Sequence, residues 1–315
     1  MAMQHLFAFS ANVDGAGIAA GSVYGCGTLP RKIVCYVGWG NVSQTLEYAN
    51  MRSQQGLIDH LGNLTNVPVL LFDGINDWIV SKSCMADVAS QLRMFVPAAK
   101  VKTQFETKAA HVWSLDHAKC GCGACALVDW FVRDECCYVN NCGYDLSGDM
   151  LRHFGGVAEL KPRVAVGTSS LYWVNQHVYI PVDPEQERTW TDAGLLKWGL
   201  VYASNFCSRN VDSCRIHVNY HGCIDNVWKR RLMWVNNIDL NEYGEANDII
   251  VVYPQSAGSN ETGEGCWNWG FPKDDALYDT RQSVQLRTVV SLVEDLSNAL
   301  RSWSKPVDSF QNPDL

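Results

Sequence analysis

The feature that most constrains the fold is an almost unbroken apolar run at residues 67–72, VPVLLF. Such a run is typical of a parallel strand that is covered on both faces. The next stretch carries apolar residues at i, i+3, i+4 and i+7, the stripe of a buried helical face: Met85, Val88, Ala89 and Leu92. Residues 101–105 then alternate as a strand does. A strand, a helix and a strand in this order predict a right-handed crossover within a doubly wound sheet.

Strands and helices continue to alternate along the rest of the chain. Near the start, helical spacing at Met3, Leu6 and Phe7 precedes an apolar strand candidate at 15–20. Further strand candidates follow at 170–182, 200–203, 214–220 and 249–253. A last helix is predicted over 280–303, with one apolar stripe: Leu286, Val289, Val293, Leu296 and Leu300. The pattern predicts the α/β class with a mostly parallel sheet.

Composition excludes several classes of protein. The apolar fraction is 47%, enough to bury a large core, which excludes a disordered chain. No apolar run approaches the roughly 18 residues of a membrane-spanning helix, so no membrane partner is expected. The net charge is −8, from 25 basic and 33 acidic side chains, and the longest basic run is 229–231. Because nucleic-acid binding requires a basic face, no nucleic-acid partner is expected either.

The cysteines and the glycosylation sequons indicate the compartment. Thirteen cysteines, with N-x-S/T sequons at Asn41, Asn63 and Asn260, favour an extracellular glycoprotein. Residues 1–22 do not match a signal peptide, because they lack a basic n-region and Asp14 interrupts their apolar stretch. We therefore expect a secreted protein whose signal peptide is missing from this chain. The odd number of cysteines leaves at least one thiol unpaired within a monomer.

Six of the cysteines crowd residues 118–143, a segment without clear periodicity: Cys120, Cys122, Cys125, Cys136, Cys137 and Cys142. We interpret this segment as a loop held by disulfides. The spacing from His117 to Cys125 could also hold zinc. Close cysteines in a secreted chain more often form disulfides, so no metal site is predicted.

Asp77 and His111 are the leading candidates for chemistry. Asp77 lies in the turn 74–80, GINDWIV, directly after the strand at 67–72, and His111 follows the next strand. Catalytic groups of open α/β sheets gather at that edge, and an Asp that accepts the Nδ1 proton of a His prepares it as a general base. In the chain the acid precedes the base, which is the order found in α/β-hydrolases. The alternatives are a turn or helix-cap aspartate and a surface histidine, and Asp73 competes for the role of the acid.

That order requires a serine nucleophile upstream of Asp77. No G-x-S-x-G sequence occurs in the chain. Ser10, Ser22 and Ser43 do not lie on a predicted strand-to-helix turn. The sequence therefore predicts that the nucleophile is missing.

Two further segments have the residue types of an ester-binding site. The strand at 214–220 runs into His221-Gly222-Cys223, where an α/β-hydrolase presents a backbone N–H to the oxyanion. A strand that simply ends at a glycine turn is the alternative. Residues 265–270, GCWNWG, place aromatic side chains in a glycine-rich loop, which either caps a core or lines a binding crevice.

These segments together resemble the fungal-type polyhydroxybutyrate depolymerases and their secreted relatives, a family with a circularly permuted α/β-hydrolase fold. The similar segments occur in the family's order: 14–26 (DGAGIAAGSVYGC), 74–80, His111, 141–145 (NCGYD), 221–223 (HGC), 249–255 (IIVVYPQ) and 266–270 (CWNWG). They cover most of the chain outside 158–195. The HGC segment together with C-W-x-W is fairly specific to the family.

The resemblance implies a role for each matching position. The family's acid falls on Asp77 and its base on His111. The second oxyanion donor falls on the backbone N–H of Cys223, and Trp267 lies near the substrate crevice. A disulfide between Cys223 and Cys266 is also implied.

The chain departs from the family at its start. The nucleophile elbow, with the first oxyanion donor and the signal peptide, would precede Met1, which implies N-terminal truncation. His111 is followed by VWS and not by the glycine- or proline-containing turn of the family. We expect a single α/β-hydrolase-like domain over 1–315. Its parts are an acid/base half at 1–157 with the Cys-rich loop 118–143, an irregular insert at 158–195 and an oxyanion-strand half at 196–315.

The resulting prediction is a secreted carboxylic-ester hydrolase that resembles polyhydroxybutyrate depolymerases. It would use Ser-His-Asp chemistry without a cofactor, on an ester or polyester substrate. Because the serine is missing, the chain as written is expected to be inactive. The alternative is a secreted pseudoenzyme or binding protein that keeps the hydrolase frame. A zinc-binding secreted module centred on 117–125 is a third hypothesis.

Overall fold

The computed structural model describes residues 1–29, 33–123, 135–155, 159–166, 170–181, 193–270, 275–302 and 304–307. These residues belong to two units. The first draws on Met1–Glu159, Trp269–Pro272 and Leu277–Gln282, and the second on Leu160–Asn268, Lys273–Ala276 and Ser283–Leu315. Within the described ranges, no helix has both the length and the apolar character needed to cross a membrane. The single-domain organisation expected from the sequence stays a prediction.

The first unit is built around a parallel sheet. Its helices are α1 (Ala2–Ala8), α2 (Val34–Val37), α3 (Ser43–Gln54), α4 (Lys82–Leu92) and α5 (Leu146–His153). Its strands are β1 (Ala16–Ala19), β2 (Val69–Gly74), β3 (Val101–Thr107), β4 (Trp113–Leu115) and β5 (Val139–Asn141). Strands β1, β2 and β3 pair in that order and in parallel, and β4 pairs in parallel with β5.

Strand β2 occupies the centre of this sheet because its residues 69–72 are apolar on both faces. Val69, Leu70 and Leu71 are completely buried. Helix α4 follows it, and Ser81 caps this helix by accepting a hydrogen bond from the Cys84 N–H at 3.1 Å. The helix buries the whole predicted stripe: Met85, Val88, Ala89 and Leu92. The predicted strand–helix–strand order is confirmed.

The second unit contains a mixed sheet. Its helices are α6 (Val227–Arg230), α7 (Met233–Asn237), α8 (Leu240–Asn247), α9 (Val284–Glu294) and α10 (Leu296–Ser302). Its strands are β6 (Leu171–Asn175), β7 (Trp198–Tyr202), β8 (Arg215–Val218), β9 (Ile249–Tyr253), β10 (Gly258–Ser259), β11 (Gly263–Glu264) and β12 (Ser304–Pro306). The sheet order is β12-β6-β7-β9-β8, in which only β8 and β9 pair in parallel, and β10 and β11 form a hairpin. The predicted α/β class is confirmed.

The core of the second unit lies between this sheet and its C-terminal helices. Strands β6, β7 and β9 face α9 and α10 through a buried apolar cluster: Val174, Val201, Ala203, Cys207, Ile250, Val252, Leu292, Leu296 and Ala299. Leu292 and Leu296 come from the two sides of the junction between the helices. Removing either side chain would therefore open a cavity in one continuous core.

Two predicted elements have different bounds in the structure. The helix predicted over 280–303 begins after Ser283 and is interrupted at Asp295, where φ is −105° and ψ is 22°. The side chain of Asp295 accepts hydrogen bonds from the Tyr179 hydroxyl and from the Asn298 amide, which favours a new helix start there. The strand predicted over 170–182 ends at Asn175, whose side chain accepts the His177 N–H and starts a 3₁₀ turn.

The cysteines form disulfides in both units. The pairs between described residues are Cys26–Cys35, Cys120–Cys136, Cys122–Cys142, Cys207–Cys214 and Cys223–Cys266. The last of these confirms the pairing that the family resemblance implied. The Cys-rich segment is also more regular than expected, since it contains β5. The zinc hypothesis is wrong for Cys120 and Cys122, whose sulfurs are bonded to other cysteines, and Cys125 lies outside the described residues.

Among the described cysteines, Cys84 is the free thiol. It is buried in helix α4, and its Sγ lies 3.0 Å from the carbonyl oxygen of Cys35. Burial raises its pKa to about 12. A buried, protonated thiol of this kind is inert at neutral pH.

Candidate active site

The turn after β2 is held against the loop after β3 by main-chain hydrogen bonds. The N–H of Ile75 donates to the Thr107 carbonyl at 2.9 Å. The N–H of Asn76 donates to the Ala109 carbonyl at 3.0 Å. Gly74 permits this approach, because a Cβ at that position would collide with the carbonyl oxygen of Ala109. The loops that carry the candidate acid and base are therefore pinned together.

Asp77 and His111 lie within hydrogen-bond distance of each other. Oδ2 of Asp77 is 2.8 Å from Nδ1 of His111. Oδ1 of Asp77 accepts the N–H groups of Ile79 and Val80 at 2.8 and 2.9 Å. The Asp77 side chain is 2% exposed and that of His111 is 30% exposed. The carboxylate is thus fixed through both oxygens, and it leaves Nε2 as the imidazole nitrogen that can act as a base.

The charge of Asp77 is stabilised by these contacts. Burial by itself raises the pKa of Asp77. The hydrogen bond and charge of His111, together with the N–H groups of Val80 and Ile79, outweigh burial and lower the pKa overall. Asp77 is therefore the ionised partner of the imidazole. This geometry suits a general base and its orienting acid, and the catalytic role of both residues stays a prediction.

Asp73, the competing candidate for the acid, lies one turn earlier at the end of β2. It is 1% exposed and makes a side-chain hydrogen bond with Asp77. The carboxylate that lies 2.8 Å from the His111 ring belongs to Asp77. The sequence placed both carboxylates at the same edge of the sheet, but only the turn geometry separates their roles.

In the second unit, His221 anchors the turn that carries the candidate oxyanion donor. Its Nε2 accepts the Ser256 N–H at 3.1 Å, and its Nδ1 lies 2.7 Å from the Gly222 carbonyl oxygen. These partners assign the neutral tautomer with the proton on Nδ1. Burial lowers the pKa of His221 to about 4, so the ring stays neutral at neutral pH. His221 therefore ties the turn to the end of strand β9.

The Cys223 N–H is presented by this turn. Cys223 is exposed, and within the described part of the chain its N–H has no hydrogen-bond acceptor. The following residue, Ile224, has a φ of +59°, which is strained for a β-branched side chain. The Ile224 N–H donates to the Glu264 carbonyl at 3.2 Å, and the Cys223–Cys266 disulfide joins the turn to the same loop. These contacts hold the strained turn in place.

Trp267 is buried beside this turn, with 4% of its surface exposed. Its ring packs against Tyr220 and His221, with centroid distances of 5.1 and 5.4 Å. The indole N–H has no hydrogen-bond acceptor among the described residues. Buried indole groups usually find such an acceptor, so this N–H is an unsatisfied donor in the interior of the unit. A role in substrate binding stays a prediction.

The structure thus brings the four predicted residues together in pairs. Asp77 and His111 are hydrogen-bonded in the first unit, and Cys223 and Trp267 flank His221 in the second. Sequence reasoning missed the anchoring role of His221 and the contact between Asp73 and Asp77. Neither could be derived from spacing, because the first depends on the distant Ser256 N–H and the second on the path of the turn after β2.

Known proteins are similar to the chain over nearly its whole length. A poly(3-hydroxybutyrate) depolymerase of Delftia acidovorans is 27% identical over 313 residues, which are 97% of this chain and 59% of that protein. A polyhydroxybutyrate depolymerase of Talaromyces funiculosus is 25% identical over 296 residues, 90% of this chain and 81% of that protein. The resemblance to polyhydroxybutyrate depolymerases that the sequence motifs indicated is confirmed. It spans less than two thirds of the Delftia depolymerase. No protein-family model matches the chain.

Solved structures of polyhydroxybutyrate depolymerases share the fold. The crystal structure of the Penicillium funiculosum depolymerase has a TM-score of 0.77 and 22% identity, covering 94% of this chain and 91% of the other. A Ser-to-Ala variant of a polyhydroxybutyrate depolymerase complexed with an R3HB trimer gives the same values. The α/β-hydrolase type of fold expected from the family resemblance is confirmed.

Proposed function

We propose that the protein hydrolyses carboxylic esters of the hydroxyalkanoate class by a Ser-His-Asp mechanism. The observation that carries the proposal is the 2.8 Å contact between the Asp77 carboxylate and Nδ1 of His111. It is supported by the names of the relatives, and by the R3HB trimer in one solved structure of similar fold.

The chemistry assigned to the pair is proton transfer. With its Nδ1 proton held by Asp77, His111 takes the proton of a serine hydroxyl at Nε2 while the serine oxygen attacks the ester carbonyl. His111 then returns the proton to the departing alcohol, and an acyl-enzyme remains. In the second half of the cycle His111 takes a proton from the water that attacks the acyl group and returns it to the departing serine oxygen, which releases the carboxylic acid and regenerates the serine. Asp77 stabilises the imidazolium in both halves.

The oxyanion is assigned to the backbone N–H of Cys223. A donor aimed at the developing negative charge lowers the barrier by about 3 kcal/mol. The exposed position of Cys223, which leaves its N–H accessible to a substrate, and the strained residue that follows it support this assignment. Trp267 is assigned to the wall of the substrate crevice, as the family resemblance implies, and its ring packs against His221 beside the turn of Cys223.

The mechanism requires a serine nucleophile, and these 315 residues contain no G-x-S-x-G turn that would carry it. We therefore expect no serine-hydrolase turnover from the 315 residues alone. The disulfides and the sequons at Asn41, Asn63 and Asn260 support an extracellular, glycosylated protein.

The experiment compares the 315-residue chain with the polypeptide that its complete transcript encodes. Both are assayed on a soluble p-nitrophenyl ester and on a hydroxybutyrate trimer, and both are treated with a fluorophosphonate probe. We expect turnover and one labelled serine for the complete polypeptide only, and loss of turnover in His111→Ala. The control is His60→Ala, which removes an exposed histidine of the same unit.

Each of the following outcomes would contradict part of the proposal. A labelled serine within the 315 residues would show that the chain holds its own nucleophile. If the complete polypeptide binds the trimer without hydrolysing it, the protein is a binding protein on a hydrolase frame. Full activity of His111→Ala would remove the acid–base pair from the mechanism.

A further inference from the structure

A second carboxyl group lies directly behind the proposed acid. Asp73 is the last side chain of strand β2 before Gly74, and it is 1% exposed. Its side chain makes a hydrogen bond with that of Asp77. The proposed mechanism gives Asp73 no task, although burying a carboxyl group in a strand is costly.

The hydrogen bonds of Asp73 are incomplete if it is ionised. Its Oδ1 accepts the Gly74 N–H at 3.0 Å. Its Oδ2 is buried and has no donor among the described residues. A carboxylate oxygen in that position would lose its hydration without compensation, whereas a protonated Oδ2 becomes a donor itself.

The side-chain hydrogen bond between the two carboxyl groups makes Asp77 the acceptor for this proton. It already receives the Ile79 and Val80 N–H groups and the Nδ1 proton of His111, which favour its ionised form. Two carboxylates in contact inside a protein cannot both ionise. The single proton of the pair therefore belongs to Asp73.

The other groups around Asp73 agree with this assignment. Lys82 is the cation that acts on it, but its ammonium group is half exposed and pairs with Glu106 at 2.6 Å. Cys84, the other titratable neighbour, is a buried protonated thiol. Burial first, and then the charge and hydrogen bond of Asp77, raise the pKa of Asp73 to about 8, against the smaller opposing effects of the Gly74 N–H and Lys82.

We propose that Asp73 is a positioning residue, a neutral carboxylic acid that donates its O–H to Asp77 and holds that carboxylate against His111. Loss of this proton removes the donor and places a second negative charge beside Asp77. The two carboxylates then repel each other, and the contact with His111 loosens. The catalytic consequence rests on the proposed function, but the protonation state of Asp73 does not.

The first test is spectroscopic and needs no turnover. Infrared difference spectra of the 315-residue protein between pH 6 and pH 10 should show the carbonyl band of a protonated carboxylic acid that disappears at mildly alkaline pH. Burial also raises the pKa of Asp225, so the band of Asp73 is identified as the part of the wild-type signal that Asp73→Asn lacks. It should persist in Asp149→Asn, the matched control, because Lys102 and Tyr144 lower the pKa of Asp149 despite its burial.

The second test uses rescue by a conservative variant. The side-chain amide introduced by Asp73→Asn still donates a hydrogen bond to Asp77 but cannot ionise, whereas the side chain introduced by Asp73→Leu neither donates nor ionises. In the complete polypeptide we expect Asp73→Asn to keep most of kcat and lose the alkaline decline of the wild type. A misplaced pair costs about a hundredfold in rate, so Asp73→Leu should lose about that much kcat with KM little changed.

The outcomes separate this proposal from the proposed function. A wild-type-minus-Asp73→Asn difference spectrum at pH 6 that contains no protonated-acid band overturns it. So does equal activity of the Leu and Asn variants with unchanged pH profiles. If the band behaves as expected while the complete polypeptide hydrolyses no ester, the protonated Asp73 stands and the proposed function fails.

Discussion

Oδ2 of Asp77 and Nδ1 of His111 are 2.8 Å apart, although 34 residues separate them in the chain. The carboxylate is almost fully buried, and the imidazole is partly exposed. One partner is therefore held by the protein interior while the other reaches the surface. This asymmetry is the arrangement expected of an orienting acid and a base that meets a substrate.

Replacing Asp77 by Asn should place a hydrogen-bond donor, in place of an acceptor, next to Nδ1 of His111. In Asp77→Asn, the amide can still accept the backbone N–H groups through its oxygen, so its NH₂ group faces Nδ1 of His111. The imidazole then adopts the wrong tautomer, and kcat of the complete polypeptide should fall about ten-thousand-fold. The tautomer is measured in the 315-residue chain by the ¹⁵N chemical shifts of the His111 ring. Unchanged ring shifts together with unchanged kcat would contradict the assignment of Asp77.

A side chain at position 74 should separate the two loops of the site. Because a Cβ on Gly74 collides with the Ala109 carbonyl, Gly74→Ala should lower the free energy of unfolding by about 1–3 kcal/mol. The control is Gly121→Ala, since a Cβ at Gly121 meets nothing within 4 Å. Urea unfolding of both variants measures the difference. Equal stability of the two variants would show that the contact between the loops is not tight.

Acid should destabilise the second unit through His221. Burial lowers the folded-state pKa of His221 to about 4, below the unfolded value of about 6.5. The unfolded chain therefore binds the extra proton between these values, so the stability present above pH 6.5 is lost as the pH falls towards 4. The loss is at most about 1.4 kcal/mol per pH unit.

The measurement is the free energy of unfolding at several pH values between 4 and 7. His221→Gln cannot titrate, so its profile should be flatter than that of the wild type over this interval. Two parallel profiles would mean that the imidazole does not lose its hydrogen bond from the Ser256 N–H when it is protonated.

Removing the Cys223–Cys266 disulfide should reduce both stability and activity. The bond closes a sequence separation of 43 residues, and its loss in Cys223→Ala/Cys266→Ala should cost about 4 kcal/mol. The backbone N–H at position 223 is retained, but the strained turn around Ile224 loses its covalent support. We therefore expect kcat of the complete polypeptide to fall as well.

The matched control for this variant is Cys122→Ala/Cys142→Ala in the first unit. That bond closes a separation of 20 residues, which corresponds to about 3 kcal/mol. This control should be destabilised without a loss of kcat at a temperature where both variants are folded. A similar fall of kcat in the two variants would show that the disulfide at Cys223 has no specific role.

Much of the fold could be predicted because it follows from local patterns. The apolar run at 67–72 is buried on both faces and forms β2, and the stripe of α4 is buried as its spacing predicts. Residues that recur at a fixed spacing lie on one face of a helix or strand. A short stretch of sequence is therefore enough to predict which of them are buried. The positions of the candidate acid and base after consecutive strands could be predicted for the same reason.

Element ends were less predictable, because they depend on single side-chain hydrogen bonds. The apolar stripe continues across Asp295, so periodicity indicates one helix where the structure has two. Asn175 ends strand β6 through a hydrogen bond from the His177 N–H to its side chain. Such side-chain hydrogen bonds end a helix or strand even where the apolar periodicity of the sequence continues.

The sequence by itself determined the α/β class, the order of the main strands, and the placing of an acid and a base at one edge of a parallel sheet. These follow from the periodic burial of residues that are close in the chain. Only the tertiary structure decided that Asp77 contacts His111, that Asp73 lies behind it, and that His221 anchors the turn of Cys223. Those contacts join residues brought together by turn geometry and strand register, and hydrogen bonds depend on distances of a few tenths of an ångström.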